Sequence, residues 1–193
     1  MIATKDQIFM YKEPFPFSLS PSSDDERFML EALKEAWKAY IKDEVPIGAV
    51  LVREGKVIAR GHNQVEMLHD ATAHAEMLCL TSGAEALEAW RLAETTLYST
   101  IEPCSMCAGA MLLSRVPILV WGAPDLRHGA NGSWVDLFAL QHPTHSITVR
   151  KGVLEEQCSL LIRDFFQRRR EENKHEKSKR QLEGNVDFDP GID

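Results

Sequence analysis

The sequence predicts an α/β domain in which helices alternate with strands, and three observations carry that expectation. Apolar residues recur at helical spacing near both ends of the chain, at Met29, Leu33, Ala36, Trp37 and Tyr40 and again at Leu154, Cys158, Leu161, Ile162 and Phe165. Two β-rich runs, 47–53 and 56–62, are separated only by Glu54-Gly55. Between these and the last helix, strand-sized runs at 96–100 and 118–122 flank a helical stretch at 104–114, the pattern of a β-α-β crossover with parallel strands.

Each element has a local cause. Ser23-Asp24-Asp25-Glu26 is a capping-box signature, so the first helix starts there and runs to about Tyr40, with one apolar stripe for packing on a sheet. The short turn at Glu54-Gly55 makes the next two runs an antiparallel hairpin. A helix over about 73–82 follows, then the crossover, a fifth strand at 146–151 and the final helix. No internal repeat is present, and open sheets of this kind carry their sites at strand ends.

At 193 residues, with 44% hydrophobic and 26% charged residues, the chain has the make-up of one globular domain with arms, which excludes wholesale disorder and collagen-like sequence. The expected organisation is an N-terminal arm over 1–21, a domain over 22–172 and a charged, disordered tail over 173–193. With 22 Lys and Arg against 29 Asp and Glu the net charge is −7, so any surface for a phosphate-rich partner must be local. The longest apolar run, 116–123, is strand-sized, far below the roughly 18 residues of a membrane span, and no membrane is expected as a partner. Four cysteines, Cys79, Cys104, Cys107 and Cys158, are too few and too uneven for a disulfide framework, so a reducing compartment is expected. The N-terminus lacks a signal-peptide pattern, and its acids argue against a transit peptide, so the chain reads as intracellular or as a mature fragment.

The chemistry concentrates in His74-Ala75-Glu76, followed thirty positions after the histidine by Pro103-Cys104-Ser105-Met106-Cys107. Singly, a helical histidine is often a packed residue, and a C-x-x-C pair can be a redox couple or half of a structural zinc site. Together they form a metal set. Cys104 and Cys107 share one face at the positive end of a helix, which favours thiolates. One imidazole and two thiolates suit zinc and leave a fourth position open for water, the mark of a catalytic site. Cys79 and Cys158 fall on apolar stripes and read as buried thiols. Glu76, two residues past the histidine, can act as a base on that water; without His74 it would read as a solvated helix-start carboxylate.

At these residues the sequence resembles the zinc-dependent cytidine and nucleobase deaminase superfamily. More narrowly it is similar to the tRNA adenosine deaminases of bacteria and plastids (TadA type), from about Glu26 to Arg170. The segments that carry this are Glu44-Val45-Pro46-Ile47-Gly48-Ala49-Val50, Gly61-His62-Asn63, Asp70-Ala71-Thr72-Ala73-His74, Leu97-Tyr98-Ser99-Thr100-Ile101-Glu102, Met106-Cys107-Ala108-Gly109-Ala110-Met111, Gly129-Ala130-Asn131-Gly132-Ser133 and Asp164-Phe165-Phe166. The resemblance implies a three-layer, cytidine-deaminase-like α/β fold, a five-stranded mixed sheet with helices on both faces. It also implies one Zn2+ per subunit, a homodimer, and deamination of the wobble adenosine to inosine in the anticodon stem-loop of an arginine tRNA with anticodon ACG. By the same likeness Asn63 and the backbone of Ala75 hold the base, Ile47 and Ile101 line its pocket, and Asp125 meets the ribose or flanking backbone. Asn63 and Asp125 also fit plain roles as a strand end and a turn cap. Gln64, Pro124 and His128 depart from residues common in bacterial members. The compartment implied is the chloroplast stroma, with bacterial cytoplasm the alternative.

RNA affinity needs a basic patch, and residues 163–180 hold eight Lys or Arg against four Asp or Glu. Arg168, Arg169 and Arg170 follow an aromatic pair there and are the expected phosphate contacts; a solvated, salt-bridged helix end is the plainer alternative. Two other functions use the same residues: a zinc deaminase of guanine or cytosine, and a noncatalytic zinc or RNA-binding subunit.

Overall fold

The computed structural model describes residues 15–140 and 142–183. The remaining parts of the expected arm and tail, 1–14 and 184–193, lie outside the described residues. The elements are α1 (Asp24–Ile41), β1 (Gly48–Arg53), β2 (Lys56–His62), α2 (Val65–Leu68), α3 (Ala75–Ala86), β3 (Thr95–Ile101), α4 (Ser105–Leu113), β4 (Ile118–Ala123), β5 (Thr148–Lys151) and α5 (Glu155–Glu183).

One five-stranded mixed sheet runs β2-β1-β3-β4-β5. Strand β1 pairs antiparallel with both β2 and β3, whereas β3, β4 and β5 are mutually parallel neighbours. Strand alternation sends each strand's side chains to two cores. Val50, Val52, Tyr98 and Val120 face α1 and α5, where they meet Met29, Leu33, Trp37, Leu161 and Phe165. Ala49, Leu51, Leu97 and Leu119 face the other way, onto Cys79, Cys107 and Met111 of α3 and α4. The result is three layers, helix on sheet on helix, as expected.

Local chemistry explains the boundaries. Ser23 caps α1, its hydroxyl accepting from the Glu26 N–H at 3.2 Å. Glu26 closes the box one residue early, accepting from the N–H and hydroxyl of Ser22 at 2.6 and 2.7 Å. Glu54 and Gly55 both take positive φ, 51° and 71°, the primed turn whose twist suits a two-residue hairpin. Helix α3 begins at Ala75 and extends to Ala86, later at both ends than the hydrophobic pattern suggests, because His74 is still extended at φ −70°, ψ 152°. The single turn α2 has no apolar period to announce it. In the N-terminal segment, Phe15 and Phe17 pack edge to face at 5.5 Å against the α1 core. Helix α5 continues to Glu183, past residue 172, through a stretch rich in the good helix formers Glu, Lys, Arg and Gln. Among the described residues no helix is long and apolar enough to cross a membrane.

The antiparallel and parallel pairings bring the start of β1, the end of β2 and the ends of β3 and β4 to one edge of the sheet. Gly61 sets how tightly α3 seats there: a Cβ on it would lie 2.3 Å from the Ala75 carbonyl and 2.8 Å from the Cys79 nitrogen. Gly61→Ala is therefore expected to cost about 1–3 kcal/mol, read as a lower urea midpoint at unchanged m-value, with weakened zinc retention because α3 carries its first turn into the site.

Candidate metal and catalytic centre

Two helix starts converge at this edge. His74 is the N-cap of α3 and Cys104 the N-cap of α4, and neither uses its side chain to cap its own helix. Cys107 lies one turn into α4. Both helices thus aim their positive dipole ends at the same point.

The sequence-predicted ligands are brought together. His74 Nδ1 lies 3.6 Å from Cys104 Sγ and 3.6 Å from Cys107 Sγ, and the two sulfurs are 3.6 Å apart. A tetrahedron with Zn–S of about 2.3 Å and Zn–N of about 2.0–2.1 Å has edges of about 3.5–3.8 Å, so the donor triangle has the size and chemistry for zinc. Among the described residues this is the single cluster of three such donors, and no fourth His, Cys, Asp or Glu joins it. Cys79 and Cys158 are buried and free, packed in the two cores.

The protein groups polarise one another. The Cys107 thiol donates to Cys104 and lowers the latter's pKa to about 4, a shift that His74 assists and burial opposes. Donating to Cys104, together with burial, pushes the Cys107 thiol up. The bond to Cys104 raises His74, against the effect of burial. Glu76 is 2% exposed and its carboxyl is raised by burial, so a group that is normally a weak base binds a proton more readily. Ser99, which sequence reasoning missed, donates its hydroxyl to Glu76 Oε1 at 3.2 Å.

The expected base-pocket residues sit at the same edge. Ile47 precedes β1, Asn63 follows β2, Ile101 ends β3 and Ala75 opens α3. The Asn63 N–H donates to the Ile47 carbonyl at 3.0 Å. Asp125 follows β4 and spends its Oδ1 on the N–H groups of Arg127 and His128, at 3.0 and 3.2 Å, a turn cap.

The arginines of α5 divide. Arg168 differs from its two neighbours: its side chain is only 15% exposed, paired with Asp43 at 2.7 Å and lying 4.7 Å over the Tyr40 ring. It faces inward because residues three apart, Phe165 and Arg168, share the core side of the helix. Arg169 and Arg170 are exposed and border an open cleft of about 310 Å³ with Val45, Glu66 and Phe166.

Glu102 is a second residue that motif spacing did not single out. It is 1% exposed and accepts from the N–H groups of Asn131 at 2.7 Å and of Asp125 and Ser133 at 3.2 Å, and from the Ser133 hydroxyl. The Ala130 N–H adds a bond to the Pro103 carbonyl at 2.8 Å, so the 129–133 loop clamps the segment that ends in Cys104. A lone acid between a strand and Pro103 was the available signal.

Residues 22–123 match the cytidine and deoxycytidylate deaminase zinc-binding region. The chain belongs to this zinc deaminase family. Its relatives include the tRNA-specific adenosine deaminase of Bacillus subtilis, 48% identical over 152 residues that cover 79% of this chain and 94% of that one. The chloroplastic tRNA(adenine(34)) deaminase of Arabidopsis thaliana is 49% identical over 181 residues, 86% of this chain and 14% of that longer protein. A solved structure from work on A-to-I editing by tRNA:A34 deaminases at the wobble position of transfer RNA superposes with a TM-score of 0.68 at 44% identity, covering 70% of this chain and 98% of that one. Zinc is the metal of this family's binding region, in agreement with the donor triangle.

Removing the Glu102 carboxylate leaves its donors unanswered, so Glu102→Ala is expected to cost at least about 2 kcal/mol in urea unfolding and to lower zinc content by elemental analysis. Glu102→Gln, which keeps one acceptor oxygen, should lose less on both measures.

Proposed function

We infer that this chain is a hydrolytic tRNA adenosine deaminase that converts adenosine to inosine at position 34 of the anticodon. One observation carries the reading: an imidazole and two thiols spaced for zinc beside a buried, unligated Glu76, in a family member 48% identical to a tRNA-specific adenosine deaminase across nearly its whole length.

His74, Cys104 and Cys107 would hold the metal. Bound zinc supplies a Lewis acid that brings the pKa of water toward about 7. Glu76 takes one proton from the attacking water and passes it to N1 of the adenine as the water oxygen bonds to C6; it then carries the remaining hydroxyl proton to the amino group, so that the C6–N bond breaks, ammonia leaves and the C6=O of inosine forms. Adenosine and water thus give inosine and ammonia. Ser99 holds the Glu76 carboxylate by its hydroxyl. The target base must leave the loop stack to expose C6. In the proposed pocket Asn63 and the Ala75 backbone bind its polar edge, Ile47 and Ile101 its faces, and Asp125 the adjoining ribose or backbone. The uncapped start of α3 supports an N–H donor role for Ala75.

The proposed partners are a tRNA anticodon stem-loop, that of an arginine tRNA with anticodon ACG in particular, met at its phosphates by Arg169 and Arg170, and a second copy of the chain in a homodimer. The proposed compartment is the chloroplast stroma, with bacterial cytoplasm the alternative; the chloroplastic and Bacillus subtilis relatives, at 49% and 48% identity, support the two alike.

Sequencing inosine in an A34 stem-loop treated with the zinc-loaded protein tests the activity. Glu76→Ala should retain zinc and lose about 10²–10⁴-fold in turnover, and His74→Ala should lose the metal itself. Near-normal inosine formation by Glu76→Ala would reject its role. Product from guanine or cytidine, with none from A34, would replace the substrate; ammonia from no base with zinc bound would make the chain a noncatalytic subunit. Raising salt should weaken stem-loop binding in wild type, and Arg169→Ala with Arg170→Ala should flatten that dependence by about 2 in log–log slope at most.

A further inference from the structure

Glu44 is a buried acid that the mechanism above leaves unused. It lies between α1 and β1, is 1% exposed and faces three donors. Its Oε1 accepts from the Met67 N–H at 2.7 Å, and its Oε2 from the Glu66 N–H at 3.3 Å and from Asn63 Nδ2 at 3.1 Å. Glu66 and Met67 open the α2 turn, whose own cap residue Gln64 makes no capping side-chain bond, so Glu44 answers donors that the turn would leave open.

A carboxylate only accepts, so the Asn63 amide can offer it Nδ2 and nothing else; the flipped amide would set two acceptors against each other. With its backbone N–H also committed to Ile47, Asn63 is held at both ends. One Nδ2 hydrogen is spent on Glu44, and the second hydrogen and Oδ1 remain for a base.

We propose that Glu44 is a positioning residue that sets which end of the Asn63 amide the base meets and ties that setting to the α2 turn, which carries the exposed Met67 and Leu68. The proposal rests on the assignment of Asn63 to the base pocket. Because Gln presents one acceptor oxygen and one donor nitrogen, Glu44→Gln cannot satisfy Asn63, Glu66 and Met67 together: nitrogen at the Oε2 place turns or detaches the Asn63 amide, and nitrogen at the Oε1 place releases the Met67 N–H, so either way the tie between Asn63 and the α2 turn is broken.

The test is a double-mutant cycle of Glu44→Gln and Asn63→Ala in the zinc-loaded protein. It is read as kcat/KM on an A34 stem-loop, with guanine and cytidine in parallel and zinc content and urea midpoint measured for each variant. Glu44→Gln is expected to lower kcat/KM on the order of 10-fold or more in wild type and less than about 3-fold in the Asn63→Ala background. Equal losses in both backgrounds, or no loss in wild type, overturn the proposal. If Glu44→Gln does not fold, Glu44→Asp, which keeps the charge but shortens the reach, is read in the same cycle. The coupling is taken on whichever base wild type deaminates, so failure to form inosine from A34 rejects the functional reading alone. The Asn63 side-chain amide resonance reads the contact without turnover: it moves in the Glu44 variant, and an unmoved resonance overturns the proposal.

Discussion

Two sulfurs and an imidazole nitrogen held at mutual distances of 3.6 Å require that the segments bearing them be fixed to a fraction of an ångström, and the architecture follows from that demand. His74 and Cys104 are not helix residues but the extended residues just before two helices. Their positions are set by where α3 and α4 are seated on one face of the sheet. Gly61 lets the α3 backbone press on β2, and the parallel β3-α4-β4 unit delivers Cys104 at the carboxyl end of β3. The same geometry points two helix dipoles at the cluster, which favours the anionic forms that bind a cation.

Glu44, Glu76 and Glu102 are buried around this edge, and their hydrogen bonding differs. Glu102 meets four donors and Glu44 three, so their lone pairs are occupied and both act as structural acceptors. Glu76 meets the Ser99 hydroxyl, the Cys107 thiol and its own backbone N–H, and burial favours its protonation. Proton exchange is the role proposed for it alone of the three. Buried carboxylates are costly unless satisfied; here Glu102 and Glu44 stabilise loops, while Glu76 stands beside the donor triangle.

Much of this was legible in the chain. The capping residues before α1, the Glu54-Gly55 turn and the apolar runs of β1, β3 and β4 are local signals, and each has a local physical cause. The clustering of His74, Cys104 and Cys107 was readable because His-x-Glu and Cys-x-x-Cys place donors by the short-range geometry of a helix start. Arg168, Glu102 and Glu44 were not. Arg168 looks like its neighbours Arg169 and Arg170 until the packing of Tyr40 and Asp43 turns it inward. The partners of Glu102 and Glu44 lie some twenty to thirty positions away, beyond any periodicity.

The amino-acid order alone therefore determined the element types, the alternation that divides two cores and the identity of the metal donors, because these depend on contacts within a few residues. Tertiary structure decided the distances among those donors, which acids are saturated and which basic side chains reach the surface. Those properties arise only when segments remote in the chain share one sheet edge, where burial removes water and leaves each polar group to the partners the fold supplies.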